Sequence, residues 1–190
     1  MVALRKATAY SKRKVVPYTR ISKKKGKAYI KTVPVQKIVK FTMGNEGLFN
    51  IGKFPHHLTL IALEKVQIRH NALESCRQYL NKKLDNTLAG QYFFKIIPFP
   101  HHVQRENKML TGAGSDRMQT GMQLSFGKSM GKAAILKPGK PIFFIAVANP
   151  NGVKITRDLF KEIKSKLPCR TRIVYEIKDN KKPISDLTIQ

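Results

Sequence analysis

Acidic residues are scarce in this chain. Only 11 Asp and Glu stand against 37 Lys and Arg in 190 residues, a formal net charge of +26. A field of that size implies solubility, attraction to polyanions and fast association, and says nothing about fold. Nucleic acid is the first partner to consider, and an anionic membrane surface competes with it. Long apolar runs are missing too: none approaches the roughly 20 residues needed to span a bilayer. The start, MVALRKATAYSKRK, lacks the apolar stretch of a signal peptide, although a basic, acid-poor start also suits an organelle-targeting segment. Cysteine is limited to Cys76 and Cys169, with no CxxC and no zinc spacing. Cys76 falls on a predicted helix face, so a buried free thiol is expected there in preference to a disulfide. A reducing cytoplasm fits.

What the chain has instead is a long, unusual connection, His101–Lys132 (HHVQRENKMLTGAGSDRMQTGMQLSFGKSMGK), between two strand-like segments, Tyr92–Phe99 and Ala133–Val147. Gly112, Gly114, Gly121, Gly127 and Gly131 break any periodic pattern. Connections this long are usually functional or disordered. Met109, Leu110, Met118, Met122, Leu124, Phe126 and Met130 are too apolar for a solvated linker. Glycines among Arg105, Lys108, Arg117, Lys128 and Lys132 would let backbone approach a polyanion while cations neutralise it. A loop that orders against something large and negative is the reading favoured over a mobile surface loop.

The first 40 residues hold 13 basic side chains and no acid, half of the net charge. Arg13, Lys14, Arg20, Lys23, Lys24, Lys25, Lys27 and Lys31 interleave with Tyr10, Tyr18 and Tyr29. Pro17 and Pro34 interrupt helix, and no 3.6-residue period survives. Alone in water such an arm would stay extended by self-repulsion. In folded RNA its cations would release counterions, and its tyrosines could stack on bases or riboses.

Further along, Gln36–Thr42 and His57–Leu63 alternate as strands do. Glu64–Leu84 reads as the best helix, with Ile68, Ala72, Leu73, Cys76, Leu80 and Leu84 inward and Arg69, Arg77, Lys82 and Lys83 outside the core. Truncating Arg77 should therefore barely matter. Ala133–Leu136 and Pro141–Ala148 read as a hairpin about Lys137-Pro138-Gly139-Lys140. Asn149–Gly152 reads as a turn. Thr156 is the expected N-cap of a helix whose stripe is Leu159, Phe160, Ile163 and Leu167. Pro168 stops it, and Arg170–Ile177 returns as a strand. The fold class expected is α+β, a sandwich of two helices on a mostly antiparallel sheet, with a long internal loop and a basic N-terminal arm. In residue terms that means an extended RNA-binding arm over 1–35, one domain over 36–177 containing the loop 101–132, and a polar tail over 178–190. Phe-Pro-His-His occurs twice, at 54–57 and 99–102.

Constellations that carry chemistry are absent. Gly127-Lys128-Ser129 has Met122 where a phosphate-binding loop needs its first glycine. Gly112-Ala113-Gly114 lacks the third glycine of a dinucleotide fingerprint. Adjacent histidines on extended chain face opposite ways, so His56/His57 and His101/His102 chelate poorly. RNA contacts suit His70, His101 and His102 better than a metal. Glu106 and Asp116 each have a cation one or two positions away, and no nucleophile–base–orienter set exists. No cofactor, metal or catalytic residue is expected. The rivals are a free-standing RNA-binding module and an RNA-modifying enzyme.

Four stretches carry a resemblance: Pro17–Phe41 (PYTRISKKKGKAYIKTVPVQKIVKF), Val66–Ser75 (VQIRHNALES), Pro100–Met109 (PHHVQRENKM), and Lys108–Met122 (KMLTGAGSDRMQTGM) with FGKSMGK after it. In order and in kind they resemble the archaeal branch of a universal large-subunit ribosomal protein family. That family is called L-ten-e in archaea and eukaryotes and L-sixteen in bacteria. The resemblance runs from about Arg5 to Glu176. It implies the same α+β architecture and a structural role in the cytoplasmic ribosome. It also implies large-subunit rRNA, tRNA near the aminoacyl and peptidyl sites, and neighbouring large-subunit proteins as partners. 5S rRNA is a further candidate, and neither a membrane nor a second copy of the chain is implied. By the same resemblance the loop reaches toward the peptidyl-transferase centre, with Arg105, Asn107, Lys108, Arg117 and Gln119 as its contacts. Arg69, Lys128 and Lys132 complete the expected RNA-binding set. Gln123 and Ser129 depart from the archaeal pattern, which has a basic residue and a proline there.

Overall fold

The computed structural model describes residues 6–13, 16–19, 30, 32–106 and 128–178. Twelve elements follow in order: β1 (Thr42–Gly44), α1 (Glu46–Asn50), β2 (His56–Ala62), β3 (Val66–Arg69), α2 (His70–Thr87), β4 (Tyr92–Ile96), β5 (His102–Glu106), β6 (Lys128–Leu136), β7 (Pro141–Val147), α3 (Pro150–Ile163), a 3-10 turn (Lys164–Lys166) and β8 (Thr171–Ile177). Five strands form one antiparallel sheet in the order β1-β4-β7-β2-β8, and three form a second, β3-β6-β5. The fold is α+β, as expected. The second sheet is the feature that periodicity did not reveal.

Alternation decides which side chains meet. On the large sheet Leu58, Leu60, Phe94, Phe143 and Ile145 face α2 and α3 and are buried. Leu73, Cys76, Leu80 and Leu84 of α2, with Leu159, Phe160 and Ile163 of α3, complete that core. Val66, Ile68, Ala134 and Leu136 join it from the small sheet, so α2 packs on both sheets. The free Cys76 thiol is fully buried, as expected, and burial pushes its pKa up to about 12. The opposite face of the large sheet holds a smaller cluster of Phe54, Phe93 and Ala146 under α1. There Phe49 stacks on Phe93 at 4.3 Å, and Phe144 meets it edge-on. Pairs such as Phe93-Phe94 and Phe143-Phe144 therefore serve both faces at once.

Several expectations change. Val66–Arg69 is a strand, and the helix begins at His70. Ile68 sits four residues before Ala72 and so mimics a helical face, but its backbone pairs with Ala134. Ala133–Leu136 and Pro141–Val147 are not a hairpin. The turn exists, with Gly139 at φ +82°, yet β6 joins the small sheet and β7 the large one. Gln36–Phe41 is irregular, and only Thr42–Gly44 pairs. Asn149–Gly152 opens α3 instead of turning: Asn149 is the N-cap and Pro150 takes the first helical position, where a missing N–H costs nothing. Thr156 is mid-helix and buried.

Arg77 is the largest correction. Its guanidinium donates to both oxygens of Glu74, Nε to Oε2 at 2.8 Å and Nη2 to Oε1 at 2.7 Å. Their side chains are only 12% and 11% exposed. The helical period places Arg77 beside the core without showing that a carboxylate one turn earlier is buried there.

Candidate functional site

The small sheet carries the part of the molecule that sequence reasoning marked for function. Its central strand β6 and edge strand β5 run directly into residues 107–127, since Glu106 pairs with Lys128 across the ladder. Of the expected connection 101–132, His102–Glu106 and Lys128–Lys132 are strand, because each finds a ladder partner. Asn107, Lys108, Arg117, Gln119 and Gln123 lie outside the described residues, as do Lys14, Arg20, Lys23, Lys24, Lys25, Lys27 and Lys31.

Polar side chains tie the basic arm to this sheet. Gln67 donates through its backbone N–H to the Ser11 carbonyl at 2.8 Å, and its Nε2 donates to the Arg13 carbonyl at 3.1 Å. Across the sheet, the Val103 N–H donates to the Tyr18 carbonyl at 2.9 Å, while the Tyr18 N–H donates to His102 Nδ1 at 2.9 Å. The Tyr10 hydroxyl donates to Glu106 Oε1 at 2.9 Å. Gln104 joins the two edges: its Nε2 donates to Gln67 Oε1 at 3.2 Å, and its Oε1 accepts from Arg69 Nε at 2.9 Å. Gln67, Gln104, His102 and Glu106 are all buried, so every one of these bonds matters to the sheet. The described stretches 6–13 and 16–19 are thus fastened to protein, and Tyr10 and Tyr18 both contact protein groups. The polar residues that hold them were missed. The signal was present in VQIR, where one glutamine alternates with apolar neighbours.

The remaining expected contacts fall into three groups. Arg69, Arg105 and Lys132 are half-buried around the sheet, and the Arg105 guanidinium lies 3.7 Å from the Tyr18 ring centre. Lys128 and His101 are exposed. His70 and His102 are buried. Burial foremost, with Lys37, Arg69 and Lys132 nearby, lowers the His70 pKa to about 4 and keeps its ring neutral. Burial and Arg105 lower that of His102, in keeping with an Nδ1 that accepts a hydrogen bond. The repeated Phe-Pro-His-His motif enters a strand both times, and in both the second histidine is buried and the first more open. His57 packs edge-on against Phe144 and bonds the Phe54 carbonyl. At position 129, serine donates to the Thr32 carbonyl at 2.8 Å, a link that proline could not make.

The chemistry available is that of charge and shape. Lys37, Lys40, Lys53, Lys95, Lys137 and Lys140 are exposed and make no ion pair among the described residues. Among the described residues no group of His, Cys, Asp and Glu could hold a metal ion, and no helix is long and apolar enough to cross a membrane.

Known proteins give this arrangement a context. The family described as ribosomal protein L16p/L10e matches residues 14–174. The "Large ribosomal subunit protein uL16" of Staphylothermus marinus is 43% identical over 183 residues, covering 95% of this chain and 99% of that protein. The protein of the same name from Sulfolobus acidocaldarius is 42% identical over 173 residues, 90% of this chain and 92% of its own length. That from Methanococcus aeolicus is 40% identical over 174 residues, 91% and 94%. At that identity and coverage, the chain belongs to the ribosomal protein L16p/L10e family.

Proposed function

We propose that this protein is a structural constituent of the large ribosomal subunit and works by positioning RNA, without catalysis. The observation that carries the proposal is the family match over residues 14–174. The exposed lysines support it, because phosphate contacts set register and orientation whatever the base sequence. Large-subunit rRNA and neighbouring ribosomal proteins are its partners. The cytoplasmic ribosome is its place, and it acts there as a single copy.

In finer detail, the small sheet serves as the mount from which residues 107–127 reach toward the aminoacyl and peptidyl tRNA ends, with 5S rRNA a neighbour. Arg105, Asn107, Lys108, Arg117 and Gln119 are the proposed loop contacts. Arg13, Lys14, Arg20, Lys23, Lys24, Lys25, Lys27 and Lys31 anchor the arm, and Arg69, His101, Lys128 and Lys132 border the mount. His70 and His102 act by holding protein geometry.

Co-sedimentation tests the assignment. Tagged full-length protein should pellet with large subunits through a sucrose cushion at high salt, where an adsorbed basic module washes off. Release at a salt that leaves the subunits intact would refute it. Deleting Lys108–Met118 tests the finer reading: subunits should still take up the protein but bind tRNA poorly, and fully active subunits would remove the loop from that role.

A further inference from the structure

Phe99 is 44% exposed, and its backbone is nonetheless held on both sides. Pro98 and Pro100 flank it, both buried, and each fixes its own φ. The His101 N–H donates to the Phe99 carbonyl at 3.0 Å, folding the chain so that the His101 ring lies 4.5 Å from that of Phe99. Phe41 stacks on the same ring at 5.4 Å and 18°. The Ile96 N–H donates to the Phe41 carbonyl at 2.8 Å and so locks the two segments together. The result is a run of three rings, Phe41, Phe99 and His101, whose last two members are open to solvent. Little rotational freedom remains to be lost when something stacks on it.

Charge selects the occupant. Lys40 precedes Phe41 and is exposed, whereas Lys95, opposite Thr42, lies on the other face of the sheet with Phe93. Residues 32–43 and 88–102 contain no carboxylate. Glu74 reaches this region at the Val39 amide, but its charge is matched by Arg77. A rigid aromatic surface in a stretch that carries lysines and no carboxylate suits a nucleobase, since any base can stack through its π-face. Val39 at 72% and Ile97 at 41% exposure widen the patch and would suit an apolar protein segment, but they do not account for the lack of carboxylates around it.

We propose that Phe41, Phe99 and His101 form a stacking platform for an unpaired RNA base. The proposal rests on the reading of this chain as an RNA-bound ribosomal constituent, and adds a site that recognises a base where the other contacts recognise phosphate.

The chain contains no tryptophan, so His101→Trp provides a single fluorophore at the platform, at an exposed position that tolerates the change. Full-length variant is titrated with a ten-nucleotide oligo(rA) and with an abasic ribose-phosphate of the same length, and binding of each is followed independently by anisotropy of a label on the oligomer. Oligo(rA) should quench the tryptophan strongly and the abasic oligomer hardly at all, although both bind. Adding Phe99→Ala should weaken oligo(rA) binding about tenfold and leave the abasic oligomer unchanged. Equal quenching by the two oligomers, or none while anisotropy reports bound RNA, would overturn the platform and leave the patch to a protein partner. The ribosomal assignment stands or falls separately, on co-sedimentation of the unmodified chain.

Discussion

Replacing Arg77 by alanine should destabilise the free protein substantially, although the side chain lies on the margin of α2. The substitution strands the Glu74 carboxylate, whose residue is 8% exposed and which accepts two bonds from Arg77. Breaking a buried pair from one side costs about 3–5 kcal/mol. Two partners remain here, Gln78 Nε2 at 3.1 Å and the Val39 N–H at 3.4 Å. Both side chains also keep some contact with water, so about 2–3 kcal/mol is the expected loss. At roughly 2–4 °C per kcal/mol for a chain of this size, Tm should fall by about 4–12 °C. The pH dependence supplies a second check. The hydrogen bond from Arg77, above all, holds the Glu74 pKa below the usual carboxylate range. A depressed carboxylate pKa stabilises the fold above the unfolded value of about 4.3 and loses that contribution as pH falls through the folded value. The gap between parent and variant should therefore be widest at neutral pH and close in acid. Urea unfolding of both proteins from pH 7 to pH 3 measures it, and Arg77→Ala/Glu74→Ala should cost less than the sum of the single changes. A loss under about 0.5 kcal/mol at pH 7, or a gap that persists unchanged into acid, would refute the reasoning.

Leu73→Ala, at a fully buried position of α2, should cost about 2–5 kcal/mol in the same unfolding assay, and a surface-like value would mean the helix face is misassigned. Gly44→Ala should cost about 2 kcal/mol or more, because Gly44 has φ +85° and an added Cβ would lie 2.4 Å from the Tyr92 carbonyl oxygen; an unchanged Tm would show that β1 can shift freely. His102 should titrate below the free-histidine range by NMR, with the Tyr18 amide resonance moving in step. Its neutral ring stabilises the docked arm above the unfolded pKa of about 6.5, and that support is lost as pH falls through the lower folded value. A Tyr18 amide indifferent to that titration would dissociate the arm from the ring.

Local pattern was enough for those parts of the molecule whose side chains answer to their own segment. The apolar stripe of α3, the alternation of His56–Ala62 and the burial of Cys76 were legible because a helix or strand with one wet face writes its period into the chain. Charge was legible without any structure, since net charge is a sum over residues, and the motifs that tie the chain to its family lie in contiguous runs.

Tertiary structure decided what depends on partners distant in sequence. Val66–Arg69 satisfies a helical period and a strand period equally, and only pairing with Ala133–Leu136 chose between them. The turn at Gly139 reads as a hairpin until β6 and β7 are seen to find different neighbours, each ladder being set by segments tens of residues away. Gln67, Gln104, His102 and Glu106 look like surface residues because their types are polar. Gln67, His102 and Glu106 are buried because the arm brings them partners that water would otherwise supply, and Gln104 because Gln67 and Arg69 do. Arg77 obeys the same logic, since the period placed it at the edge of the helix face and Glu74, 8% exposed beside the core, made that edge an interior. The composition of this chain determined what kind of partner it attracts. Which of its cations and rings are left free to meet that partner was decided by how the two sheets and the arm close on one another.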